Sequence, residues 1–168
     1  FDGAHWLLSL SPELFVALKD TEARTKPMKG TRPRGSDADS DAALRDELAE
    51  SEKDKAENLM IVDLLRNDLA RVAEPGSVRV DKAFAIETYP TVHQMVSTVR
   101  GDLKPDAGLP DIVQALFPCG SITGAPKIRP MELIDRLERD ARGPYCGAIG
   151  AYGADRRASF NVAIRTLR

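Results

Sequence analysis

Residues 42–69 keep the helical spacing of apolar side chains almost without interruption, and shorter runs on either side alternate every second residue. A long helix with strands grouped ahead of it and behind it excludes an all-β chain. It also excludes a regular βαβ wind, in which strands and helices would take turns. The expected class is therefore α+β, with mainly antiparallel sheets flanked by helices. Ser40-Asp41 can cap the helix, which then begins near Ala42 and carries a break near Ser51, and Pro75-Gly76 closes the region in a turn. Before it, residues 5–10 and 14–19 predict two strands around Ser11-Pro12-Glu13, in a hairpin-like start. Residues 26–39, rich in Gly, Pro, Arg and Asp, predict loop. Beyond it, residues 78–80, 84–87 and 95–99 predict strands and 109–117 a helix. The loop 120–126 feeds a helix over 127–139, and strands over 145–152 and 158–166 follow.

A chain of 168 residues holds one domain with a real core. With 24 basic and 26 acidic side chains, its net charge of -2 offers no electrostatic reason to bind nucleic acid or an anionic membrane. No apolar run approaches the roughly 20 residues that cross a bilayer. Cys119 and Cys146 lack CxxC spacing, which argues against zinc or a redox pair and for reduced thiols in the cytoplasm. His5 and His93 are the only histidines, so HExxH is excluded.

Four features stand where a plain core would not want them. Glu57 shares a stripe with Ile61, Leu64 and Asp68, so it either binds a cation or sits at the stripe's edge, in water or paired with Lys53. In residues 160–166 the alternation sets Phe160, Val162 and Ile164 on one face and Asn161, Ala163 and Arg165 on the other. That second face is solvent, or a cleft where the Arg165 fork meets a carboxylate. Cys119-Gly120-Ser121-Ile122-Thr123-Gly124-Ala125-Pro126-Lys127 is a glycine loop before a helix, with Thr123 able to help cap it. It suits a carboxylate or phosphate, or is an ordinary tight loop; no GK[ST] follows, so it is not a Walker loop. Glycines on both faces of the strand expected from Tyr145 imply that a helix or a substrate comes close.

Five segments in order carry a resemblance: Ser11-Pro12-Glu13, residues 27–35 (PMKGTRPRG), residues 56–69 (AENLMIVDLLRNDL), residues 120–127 (GSITGAPK) and Ala163-Ile164-Arg165-Thr166. The chain resembles the chorismate-utilising enzymes, with their anthranilate synthase-like fold, and among them the large component of the aminodeoxychorismate synthases. The resemblance implies that chorismate binds with magnesium, for which Glu57 is a ligand. Gly120, Ser121 and Thr123 belong to the loop that would hold the ring carboxylate, and Tyr145 and Arg165 would hold the enolpyruvyl carboxylate. Gln94 falls where relatives often carry histidine near the ring.

Lys29 matches the para-specific members, where anthranilate synthases usually carry alanine. It would attack ring C2, with Arg32 and Arg34 as neighbouring cations and Glu13 as general acid/base. The implied reaction yields 4-amino-4-deoxychorismate for 4-aminobenzoate and folate synthesis, using ammonia from a glutamine amidotransferase partner. Anthranilate synthesis, or a non-catalytic fragment of the fold, are the alternatives. Against the family, residues 1–168 read as the central part of the catalytic domain, without the N-terminal strands and the C-terminal segment bearing the other metal ligand. Weak or absent activity of the isolated chain is the corresponding expectation.

Overall fold

The structure is a computed structural model and describes residues 6–167. Its spine is the long strand β6 (Val92–Asp102), whose residues from His93 to Val99 are all buried. One edge of β6 pairs along its length with β5 (Arg79–Thr88). The other edge is shared, by β4 (Met28–Pro33) at its start and by β3 (Glu22–Thr25) at its end. The sheet continues from β3 through β2 (Leu14–Lys19) and β8 (Ala158–Val162) to β7 (Ala148–Tyr152), every pairing antiparallel. A separate two-stranded ladder joins β1 (Leu8–Ser9) to β9 (Thr166–Leu167).

Helices α1 (Ala38–Glu50) and α2 (Glu52–Ala70) meet at Ser51, which ends the first and caps the second with its side chain. In α2, Asn58, Ile61, Val62, Leu65, Asp68 and Leu69 are buried, the three-and-four spacing of one face. That face, α3 (Leu109–Leu116) and the inner side of β2 close the core. Phe15 meets Phe117 edge-on there, with ring centroids 6.3 Å apart. A register slip between Leu14 and Val16 lets the consecutive side chains of Phe15 and Val16 both be buried.

The α+β class and the antiparallel sheets agree with expectation; several boundaries do not. The opening hairpin is β2–β3, while β1 crosses to β9, because Leu8 and Ser9 find their partners at the far end of the chain. His5, placed at the start of the first strand, lies outside the described residues. Residues 28–33 are a strand rather than loop: the free edge of β6 accepts even a Gly- and Pro-bearing segment when Pro33 comes last in it. The helix starts at Ala38, and Asp37 is its cap, exchanging side-chain and backbone hydrogen bonds with Ser40. Residues 79–88 are one strand, interrupted at Phe84 by a positive φ of 54°.

The β4 strand is anchored to the helices by charge and by close approach. Arg34 forms a fork on Asp41, which also accepts from the Gly35 amide and contacts the buried His93 ring at 3.0 Å. The Arg34 fork foremost, with the Gly35 and His93 bonds, holds the Asp41 carboxyl well below the usual carboxylate range. A depressed pKa stabilises above the unfolded value, about 3.9, and that contribution is lost as pH falls through the folded one. Asp41→Asn should therefore show a stability deficit in urea melts that is constant near neutrality and shrinks below about pH 4.

Gly30, at φ +86°, lies where a Cβ would come within 2.9 Å of Asp54 and Leu48, whereas Gly76, at φ +78°, faces open space. Gly30→Ala should destabilise by about 2–4 kcal/mol and Gly76→Ala by only about 1–2, read as denaturation midpoints at unchanged m.

Candidate active site

Lys29, in the irregular part of β4 where the register slips between Met28 and Thr31, donates from Nζ to the carbonyl of Ser121 at 3.4 Å. Ser121 belongs to a single helical turn, α4 (Gly120–Thr123). The turn is seated by its first residue: a Cβ on Gly120 would lie 2.3 Å from Leu64 Cδ2 of α2, so a larger residue there would have to push the Leu64 side chain aside. Thr123 Oγ1 donates back to the Cys119 carbonyl at 3.2 Å, which closes the turn; it does not cap the following helix. Cys119 Sγ lies 3.2 Å from Ser121 Oγ. Burial pushes the Cys119 thiol up, against the hydrogen bonds to Ser121, and the negative charge of Glu13 adds to the rise. Glu13 itself is buried, its amide bonded to Ser11 Oγ and its carbonyl to the Val162 amide. Lys29, Ser121 and Cys119 thus form one line of contacts, with the buried Glu13 near enough to Cys119 for its charge to act on the thiol. The site offers an amine held by a carbonyl together with a buried carboxylate.

The carboxylate on the apolar stripe is Asp68, not Glu57. Glu57 is exposed and lies 3.9 Å from Lys53, the plainer of the two arrangements its spacing allowed. Asp68 is 5% exposed and pairs with Lys127 at 2.6 Å. Helical spacing marks a stripe but not its centre line, and the stripe is centred on Ile61, Leu65 and Asp68. Among the described residues, no group of three or more His, Cys, Asp or Glu side chains gathers as a metal cage. One solvent-facing carboxylate fits an ion such as magnesium, which keeps several waters, as a single ligand. Arg32 and Arg34 do not turn to Lys29: Arg32 bonds Glu47 and Asp54, and Arg34 bonds Asp41.

Thr123 and Tyr145 line a groove of about 870 Å³ with α5 (Ile128–Leu137), Phe117 and Arg142. Tyr145 sits in a turn rather than a strand, with the Arg142 guanidinium 5.9 Å from its ring centre. The glycine approach in β7 is to a neighbouring strand: a Cβ on Gly150 would strike the β8 backbone at Ser159 and Phe160. Strand β8 ends at Val162, and Ala163 is buried beside it, so the alternation expected through Thr166 stops there. Ala163 instead exchanges backbone hydrogen bonds with Cys146 and Gly147, which draws the Tyr145 turn toward Arg165. Arg165 is exposed, at φ 49°. Gln94 is buried on β6, paired with Thr31 two residues beyond Lys29.

This arrangement has known counterparts. The chorismate binding enzyme family matches residues 1–168. The chain belongs to that family. An aminodeoxychorismate synthase of Streptomyces pristinaespiralis is 54% identical over 99% of the chain and 23% of its own length. Aminodeoxychorismate synthase component 1 of Klebsiella aerogenes is 52% identical over 96% of the chain and 36% of its own. The crystal structure of anthranilate synthase component I from Streptococcus pneumoniae TIGR4 superposes with a TM-score of 0.84, at 39% identity, covering 95% of the chain and 35% of that protein. The chain thus spans about a third or less of these chorismate-family relatives. No helix among its described residues is long and apolar enough to cross a membrane.

Proposed function

We propose that this chorismate-binding chain carries the aminating chemistry of an aminodeoxychorismate synthase. The observation that carries the reading is the Lys29 amine held at the Ser121 carbonyl. Lys29 Nζ forms a bond to ring C2 while both ring double bonds shift toward C4 and the C4 hydroxyl leaves as water, taking a proton from Glu13. Ammonia then bonds to C4, both double bonds shift back, the C2–N bond breaks to free the neutral lysine amine, and the ammonium formed at C4 returns a proton to Glu13. The product is 4-amino-4-deoxychorismate. Gly120, Ser121 and Thr123 take the ring carboxylate, Tyr145 and Arg165 the side-chain carboxylate, and Gln94 offers an amide to the ring. Glu57 would hold one magnesium ion, which supplies positive charge to the ring carboxylate. A glutamine amidotransferase supplies the ammonia, the product feeds 4-aminobenzoate and folate synthesis, and the free thiols of Cys119 and Cys146 suit the cytoplasm.

One relative of known structure is an anthranilate synthase, so the ortho product is the reading to be separated. The test grafts this chain into the Klebsiella aerogenes relative in place of its matching 161 residues and supplies chorismate, ammonium and magnesium. Aminodeoxychorismate, detected as 4-aminobenzoate after a lyase is added, supports the proposal; fluorescent anthranilate alone, or no product, refutes it.

A further inference from the structure

Lys127 ties together three parts of the chain. Its side chain, 13% exposed, donates from Nζ to Asp68 Oδ2 at 2.6 Å and to the Leu116 carbonyl at 2.9 Å. Leu116 is the last residue of α3 and Lys127 immediately precedes α5, so this contact clasps the two ends of the loop that contains the Gly120–Thr123 turn. Helix α2 grips the same loop twice, with Asp68 on Lys127 and, one helical turn earlier, Leu64 under Gly120. Within the turn, the Ser121 carbonyl accepts from Lys29 Nζ.

A buried ion pair contributes little net stability beyond what two apolar side chains of similar volume would, so direction is the better account of this one. We propose that Asp68 and Lys127 are a positioning pair that holds the Ser121 carbonyl over the Lys29 amine. The pair touches no substrate; it acts through the turn. The catalytic half of this inference rests on the reading of Lys29 as the reactive amine.

The experiment compares Lys127→Arg, Lys127→Met and the double variant Asp68→Asn/Lys127→Met. In the 168-residue chain, acylation of Lys29 by acetic anhydride is followed by peptide mass spectrometry, and amide exchange is followed at Ile122 and Gly124. Lys127→Arg keeps the pair and should match the wild type. The double variant leaves no buried charge unpaired and should recover most of the thermal midpoint lost by Lys127→Met. It should still acylate Lys29 about fivefold faster and exchange about tenfold faster. In the graft described above, the double variant should lower kcat about tenfold at nearly constant KM. A double variant that acylates and exchanges like the wild type overturns the positioning role. So does one whose kcat is unchanged in an active graft. If the wild-type graft makes no aminodeoxychorismate, the reading of Lys29 fails, and acylation and exchange still decide the positioning claim.

Discussion

Lys29→Ala in the grafted enzyme is expected to lower aminodeoxychorismate formation about a thousandfold, roughly 4 kcal/mol of barrier, with little change in chorismate affinity. The size follows from what is removed. A covalent route splits displacement of a poor leaving group into two easier steps, and without the amine the ring must meet ammonia directly. Lys29→Arg should fail nearly as badly, since a guanidinium keeps the charge and the reach to Ser121 but is not a nucleophile. Steady-state rates with calorimetric binding of chorismate separate the two effects. Loss of binding together with loss of rate would make Lys29 a substrate clamp; an unchanged rate would remove it from the chemistry.

The second large effect concerns stability. Lys127→Met leaves the Asp68 carboxylate buried without its cation and should destabilise the chain by about 3–5 kcal/mol, a large share of what holds a domain of this size together. Asp68→Asn should cost less, because Lys127 is more exposed and keeps the Leu116 carbonyl. Urea melts of the two single variants and the double variant close the cycle, and the coupling between the sites should be favourable and above about 1 kcal/mol. Additive losses would show that the two charges do not depend on each other.

The residues differ in how far their roles could be read along the chain. The Ser51 break, the Pro75-Gly76 turn and helix α3 were legible because each follows from a local cause: a cap, a turn residue, an apolar period. The strand at residues 28–33 was not, because its glycine and proline speak for loop and only the free edge of β6 makes it a strand. The stripe on α2 was visible, but its centre was not: spacing left Glu57 open between a cation and the stripe's edge, and the buried carboxylate is Asp68. Lys127 ends the GSITGAPK segment, and nothing within that segment marks it as a structural cation. Arg71 lies three residues beyond Asp68, so helical spacing pointed to a nearer cation and gave no sign of Lys127.

From the sequence alone came the α+β class, the five segments that mark a chorismate-binding chain, and the singling out of Lys29, Ser121 and Glu13. These rest on residue type and order, which a linear chain displays directly. The tertiary structure alone decided that Lys29 meets the Ser121 carbonyl, that Asp68 is answered by Lys127, and that Arg32 and Arg34 serve the α1 and α2 helices instead of the amine. Burial and ion pairing depend on which distant segments pack together, and the spacing of residues along one segment carries no record of its partner.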